Sequence, residues 1–144
     1  MAVIDQNEFE WLILPADLPS VRRFQEFVVR GAQTACLCEE KLWKLELALE
    51  EALVNVIRYA FSAAEGGSIH VGYRSEGPGR FCVIIRDTGR AFDPLSHSAP
   101  DLDVDVRLRP DGGMGILFIR QVADEVVYER ADGMNHLTLR FLSG

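Results

Sequence analysis

The chain has 144 residues, of which 48% are hydrophobic and 26% charged, and its formal net charge is −7. This composition and length are typical of a globular protein, and we expect one domain over residues 1–144. The negative charge argues against direct nucleic-acid binding, because an acidic surface repels phosphates. Three cysteines do not make a disulfide framework. Without a signal-peptide pattern or an apolar stretch long enough to span a bilayer, the chain is expected to be cytoplasmic, with no membrane partner.

The N-terminal half of the chain predicts a strand followed by two helices. Residues 8–14, EFEWLIL, are strand-like, and residues 18–37 and 39–62 have helical apolar periodicity. The first helix carries an apolar stripe that favours a place in the core, while a dimer seam, and with it a homodimer, stays open as the alternative. This stripe includes Phe24, Phe27 and Val28.

The C-terminal half predicts two hairpins separated by a loop and a short helix. Residues 68–76 and 80–87 are apolar strands joined by a Gly-Pro-Gly turn. Periodicity is lost over residues 88–111, and long loops in compact domains are usually functional or disordered. Residues 113–124 then predict a helix, and residues 125–141 a closing hairpin.

This order of elements favours one class of fold. Strands joined as hairpins pair antiparallel, and α+β folds with an antiparallel sheet carry their helices on one face of it. We therefore predict an α+β two-layer sandwich, with a mostly antiparallel, mixed sheet and the helices on one face.

The second predicted helix carries a line of polar side chains through an apolar sequence. In LALEEALVNVIRYAF, residues 47–61, Glu51, Asn55 and Arg58 are spaced three or four residues apart and share one face. An unpaired buried carboxylate is costly, so this line must face water or a cleft. For an isolated pair of such residues, a solvated face with a salt bridge to Arg58 would be the favoured interpretation.

Two glycine-containing segments follow strands or open a helix. In DTGRAFDP, Asp87 ends a strand and Gly89 follows it, which suits a turn where the backbone approaches another group closely. In PDGGMGILFIRQ, Gly113 and Gly115 open a helix, so backbone N–H groups there could approach a phosphate. Each segment alone is weak evidence, because an ordinary turn or helix cap has the same residues.

The order and spacing of these three segments resemble a known family. EEALVNVIRYAF, then DTGRAFDP, then GGMGILFIRQVADEVVYER resemble the ATP-binding fold shared by gyrase, the heat-shock ninety chaperone, sensor histidine kinases and the mismatch-repair ATPases. Within that fold, the chain is most similar in style to the small bacterial anti-sigma-factor serine/threonine kinases. The resemblance covers roughly residues 9–141.

The resemblance implies a site for ATP and Mg²⁺. Asn55 matches the asparagine that holds Mg²⁺ on the phosphates, and Glu51 matches the general base. Asp87 matches the aspartate that accepts a hydrogen bond from the adenine amino group, and Gly89 would give the base room. Residues 90–111 would form an ATP lid. The resemblance assigns the other nucleotide contacts to Arg58, Gly113, Met114, Gly115 and Thr138, the last as a hydroxyl near the adenine aspartate.

The resemblance also implies a function, and the sequence keeps a second one open. The first is a kinase that phosphorylates a small anti-sigma-factor antagonist in a partner-switching system and that also binds a sigma factor. Asp111 and Gly112 stand where the family often has an arginine that reaches the γ-phosphate. The alternative is therefore a non-catalytic module that uses nucleotide only to sequester a sigma factor or an antagonist.

Overall fold

A computed structural model describes residues 8–61, 66–91 and 119–143. In chain order, its strands are β1 (Glu10–Pro15), β2 (Ser68–Ser75), β3 (Arg80–Asp87), β4 (Glu125–Ala131) and β5 (Met134–Leu142). Its helices are α1 (Leu18–Thr34) and α2 (Glu39–Asn55), and a π-helical segment, Val56–Ala60, continues α2 directly. Residues 119–122 are also helical.

The strands form one sheet in the order β1-β2-β3-β5-β4. Both predicted hairpins, β2–β3 and β4–β5, are confirmed, and every described pairing is antiparallel. The predicted two-layer α+β architecture is confirmed, and the described strands lack the parallel pair that a mixed sheet would contain. Among the described residues, no helix is long and apolar enough to cross a membrane.

The two faces of the sheet differ in what covers them. Alternate residues of a strand point to opposite faces, and one face packs against α1 and α2 in a core that includes Phe81 and Leu139. The other face carries a small cluster of Phe9, Cys82 and Ile84. The apolar stripe of α1 belongs to the core: Phe24 and Val28 are buried there and Phe27 packs against it. Core was the favoured prediction for this stripe.

Local chemistry sets the ends of α1. Asp17 caps its start, because its carboxylate accepts hydrogen bonds from the Ser20 N–H at 3.1 Å and from the Ser20 hydroxyl at 2.7 Å. The helix ends at Thr34, three residues before the predicted end. Cys36 has a φ of 61°, and a left-handed residue just past a helix stops its propagation. Sequence periodicity missed this end because the left-handed residue is not a glycine.

Candidate functional site

The site lies where the end of α2 passes over the junction of β3 and β5. Asp87 is the last residue of β3, and the antiparallel register pairs it with Asn135 near the start of β5. Asn55 is the last residue of α2. These elements enclose a cleft with about 330 Å³ of empty space, part of it open to solvent. Its walls are Ala52, Asn55, Val56, Ile85, Asp87, Ile119, Tyr128, Asn135 and Leu137.

The three polar residues predicted to share one helix face differ in exposure, and the last of them, Arg58, lies in the π-helical segment after α2. Asn55 is only 3% exposed, Glu51 is half-buried and Arg58 is exposed. Asn55 lines the cleft, whereas Glu51 and Arg58 are not among its walls. A π-helical turn begins directly after Asn55, and such turns occur mostly as short irregularities that are frequent at functional sites. The structure therefore brings Asn55 to the cleft and leaves Glu51 one helical turn away.

The Asn55 amide is buried without a partner in the described part of the protein. Its Nδ2 atom makes no hydrogen bond there, although buried amides are almost always paired. The nitrogen and oxygen of such an amide are assigned from their surroundings, so either atom could face a ligand. An unpaired buried amide on the wall of a cleft can form a hydrogen bond with a bound group.

This amide also fits a magnesium ion better than a metal that needs a protein cage. Mg²⁺ prefers oxygen ligands, keeps several waters and is usually held by one or two protein groups together with substrate phosphates. The described residues contain no cluster of three or more His, Cys, Asp or Glu that could hold a metal by themselves. A single Asn55 oxygen on the wall of this cleft is compatible with such an ion.

Asp87 is a buried carboxylate, and one of its two oxygens accepts two hydrogen bonds. It is 1% exposed, and its Oδ1 atom accepts hydrogen bonds of 2.9 Å from the Gly89 N–H and 2.9 Å from Asn135 Nδ2. Within the described residues, no hydrogen bond reaches Oδ2. Asp87 also lines the cleft, so it can offer Oδ2 as an acceptor to a ligand.

Burial raises the pKa of the Asp87 carboxyl above its ordinary value, because a low-dielectric site disfavours the charged form. Hydrogen bonds from Asn135 and Gly89 oppose this rise, as do the charges of Arg130 and His136. Burial and the neighbouring groups therefore act on the pKa of this carboxyl in opposite directions, and burial has the larger effect.

The turn after Asp87 docks on the end of the π-helical segment. The Arg90 N–H donates to the Ala60 carbonyl at 2.9 Å, and the Arg90 guanidinium donates to the Tyr59 carbonyl at 2.6 Å. These two contacts satisfy carbonyl groups that a helix end leaves free. Gly89 permits the approach, because a Cβ atom there would lie 2.4 Å from the Ala60 carbonyl oxygen. The lack of a side chain at Gly89 thus permits helix docking, and the role of giving the base room stays a prediction.

Sequence reasoning missed Asn135 and assigned its place to Thr138. Thr138 pairs with Ile84 in the sheet, and Ile84 belongs to the cluster on the face away from the helices. The structure therefore does not bring Thr138 to Asp87. Asn135, three residues earlier, makes the contact. The available signal was the strand alternation of β5, in which Asn135 shares parity with the core residues Leu137 and Leu139.

The glycine-rich phosphate segment lies outside the described residues. The predictions for Gly113, Met114 and Gly115, for the neighbouring Asp111 and Gly112, and for most of the lid at residues 90–111 all fall there.

Known proteins similar to this chain include several protein kinases. The serine/threonine-protein kinase BtrW of Bordetella bronchiseptica is 34% identical over 95 residues, which are 66% of this chain and 66% of that kinase. The chain thus spans slightly less than two thirds of that relative. The serine-protein kinase RsbW of Listeria monocytogenes is 25% identical over 116 residues, 78% of this chain and 73% of that kinase. The RsbW of Bacillus subtilis is 24% identical over 111 residues, 73% of this chain and 68% of that one.

A solved structure shares the fold over nearly the whole chain. The crystal structure of the RsbU and RsbW domains of a Mycobacterium tuberculosis protein superposes with a TM-score of 0.63 at 13% identity, covering 92% of this chain and 32% of that one. At this identity the likeness shows the fold alone. The family model for the histidine kinase-like ATPase domain matches residues 14–141. The chain therefore belongs to the histidine kinase-like ATPase domain family, the ATP-binding family expected from its three motifs.

Proposed function

We propose that this protein is an ATP-dependent serine/threonine kinase that phosphorylates a small anti-sigma-factor antagonist in the cytoplasm. The observation that carries the proposal is that two buried polar groups, each with an atom available to a ligand, line the same cleft. Asp87 offers an acceptor oxygen at one end, and Asn55 offers an unpaired amide at the other. An adenine nucleotide with its magnesium ion needs both. The resemblance to kinases named BtrW and RsbW supports the choice of substrate class.

The proposed chemistry divides the work between the two ends of the cleft. Asp87 accepts a hydrogen bond from the adenine amino group, which rejects guanine because its carbonyl at that position would oppose the carboxylate. Asn55 holds the magnesium ion, whose charge neutralises the phosphates during transfer. The assigned contacts of Gly113, Met114 and Gly115 with the phosphates rest on the family resemblance, as does that of Arg58.

Glu51 is proposed as the general base. It accepts the proton of the antagonist's serine or threonine hydroxyl as that oxygen forms a bond to the γ-phosphorus. The bond from the γ-phosphorus to the bridging oxygen breaks, and ADP leaves. The added negative charge on the antagonist would then break its complex with the kinase and free the kinase to bind its sigma factor.

One observation favours a second candidate, a nucleotide-dependent binding module without transferase activity. Within the described residues, Glu51 makes no hydrogen bond or ion pair that would orient it, whereas catalytic bases are usually held in place by a neighbouring group. In this alternative, the protein sequesters a sigma factor or an antagonist, and nucleotide only stabilises the binding conformation.

One experiment tests the proposal and separates the two candidates. The purified protein is incubated with radiolabelled Mg-ATP and the candidate antagonists from its own genome, and both phosphate transfer and complex formation are measured. Transfer to a serine or threonine of one antagonist is the expected result. Binding of nucleotide and antagonist without transfer would favour the module, and failure to bind Mg-ATP or Mg-ADP would overturn both.

A further inference from the structure

Asn135 is the centre of a buried hydrogen-bond network at the end of the cleft that contains Asp87, here called the base end. Its side chain is 4% exposed. The Nδ2 group donates to Asp87 Oδ1 at 2.9 Å and to the Arg90 carbonyl at 2.8 Å. The Oδ1 atom accepts from the Tyr128 hydroxyl at 2.5 Å. The amide therefore connects a carboxylate on β3, the turn after it and an aromatic residue on β4.

The chemistry of these partners fixes the orientation of the amide. Asp87 Oδ1 and the Arg90 carbonyl oxygen can only accept hydrogen bonds, so they require the NH₂ side of Asn135. A flipped amide would set its oxygen against both of them. The Tyr128 hydroxyl donates to the amide oxygen of Asn135, so the donors and acceptors of the network match in this orientation of the amide only. Because buried networks of this kind are costly when partly satisfied, the amide has one preferred state.

The network determines how Asp87 meets a ligand. Asn135 and the Gly89 N–H both bind the same carboxylate oxygen, Oδ1. A carboxylate held by two donors at one oxygen cannot rotate about its χ2 torsion without breaking both. The other oxygen, Oδ2, is then presented in a fixed direction. Preorganised acceptors of this kind discriminate better between ligands than freely rotating ones.

We propose that Asn135 is a positioning residue for base specificity: it holds Asp87 so that Oδ2 is a fixed acceptor for the exocyclic amino group of adenine. Tyr128 supports it by fixing the direction of the amide. The inference rests on the proposed adenine-nucleotide site and deepens it, because it names the residues that set its preference for a 6-aminopurine over a 6-oxopurine.

The test compares two ligands that differ at this one position of the base. Mg-ADP has the 6-amino group and Mg-IDP has a 6-oxo group, so the ratio of their dissociation constants measures recognition by Asp87. Calorimetry on the full chain gives both constants for the wild type, Asn135→Leu, Tyr128→Phe and a control, Tyr73→Phe. Tyr73 lies on β2 against Phe27 and Phe81, so the control loses the same hydroxyl far from Asp87.

We expect Asn135→Leu to reduce the IDP-to-ADP ratio by about tenfold, as for the loss of one hydrogen bond to a charged group. Tyr128→Phe should reduce it less, by roughly two- to fivefold on the scale of a neutral hydrogen bond, and Tyr73→Phe should not change it. If Asn135 had only a structural role, its substitution would weaken the binding of both ligands equally and leave the ratio at the wild-type value. That outcome would overturn the inference while leaving the proposed function intact.

Two further outcomes separate failure of this inference from failure of the proposed function. If the wild type binds neither nucleotide, or binds both equally, the adenine site itself is wrong and the inference falls with it. If Asn135→Leu does not fold, as judged by circular dichroism, the ratio measured for the Tyr128→Phe variant tests the inference instead. An unchanged ratio in that variant, with the ratio intact in the wild type, contradicts the inference.

Discussion

The two ends of the cleft are built in opposite ways. At the base end, Asp87 and Asn135 are buried on adjacent strands and joined to each other and to the following turn by hydrogen bonds of 2.8–2.9 Å. At the helix end, Asn55 is equally buried, but its Nδ2 atom has no partner among the described residues. Glu51 is half-buried and lies outside the cleft walls.

Under the proposed function, the base end is complete before a ligand binds, while the ligand completes the helix end. A sheet with fixed register can hold a carboxylate in one orientation, which serves selection between bases. A helix end with an unpaired amide can instead adapt to a hydrated ion and to phosphates. Variants at the two ends should therefore fail differently: at the helix end in catalysis and metal dependence, at the base end in selectivity.

The largest effect is expected for Glu51→Gln. Glutamine keeps the size and hydrogen-bonding capacity of the side chain but cannot accept the hydroxyl proton, so single-turnover phosphate transfer should fall by roughly 10²–10⁴-fold. Affinity for Mg-ATP and for the antagonist should stay near the wild-type values. The matched control is Glu50→Gln, which makes the same change at an exposed neighbour. Transfer by Glu51→Gln at the wild-type rate would show that the base assignment is wrong.

Asp87→Asn should have a smaller effect on binding, and one that depends on the base. The asparagine oxygen can still accept from Gly89 and Asn135, which leaves its NH₂ group where Asp87 Oδ2 stood. Mg-ADP should then bind roughly 10–100-fold more weakly, as for a hydrogen bond to a charged group replaced by two opposed donors. The affinity for Mg-IDP should fall much less. Calorimetry with both nucleotides checks this, and equal losses for the two would contradict the assignment of Asp87 to the base.

Asn55→Ala should weaken nucleotide binding by about tenfold, or about 1.4 kcal/mol, and only when magnesium is present. Removal of the amide takes a ligand from the ion without changing the base contact. The measurement compares Kd for ADP in excess Mg²⁺ and in excess EDTA, for the wild type and the variant. We expect the two proteins to bind alike in EDTA. A loss of equal size in both conditions would assign Asn55 to packing instead of the cation.

The fold could be predicted from the sequence because most of its information is local. Hairpin turns at residues 76–79 and 132–133, and the amphipathic periodicity of α1 and α2, predict elements within a few residues of their observed bounds. The π-helical turn at Val56–Ala60 could not be predicted, because its residues are as compatible with an ordinary helix. The carbonyl groups at its end accept hydrogen bonds from Arg90, about thirty residues later in the chain, and local sequence does not show such a distant contact.

The site was predictable only where a motif marks it. Asn55 and Asp87 stand in motifs that carry the family resemblance, and the structure brings both to one cleft. Asn135 was not predicted, because its contact with Asp87 depends on the register between β3 and β5, a pairing of residues 48 positions apart. A shift of one residue would have placed the opposite face of β5 toward the helices. The family resemblance therefore points to the Thr138 hydroxyl, whereas the amide of Asn135 makes the contact.

The smallest effect concerns the stability of the base end without ligand. Burial raises the pKa of Asp87 in the folded protein, so the ionised carboxylate costs stability at neutral pH. As the pH falls through this raised pKa, the folded state takes up a proton before the unfolded chain does, and the cost disappears. Asp87→Asn removes the charge at every pH.

The ligand-free Asp87→Asn variant should therefore melt at a higher temperature than the wild type at pH 7, and its advantage should shrink as the pH is lowered toward 4. The neighbouring charges of Arg130 and His136 favour the ionised form, so they limit the size of the advantage without reversing it. Thermal melts monitored by circular dichroism at several pH values, with Glu50→Gln as a control for loss of an exposed carboxylate, measure the difference. If the variant is less stable than the wild type at pH 7, the hydrogen bonds to the charged Oδ1 stabilise the fold by more than burial of the charge costs. The base end would then owe its rigidity to the charge of Asp87 as well as to Asn135.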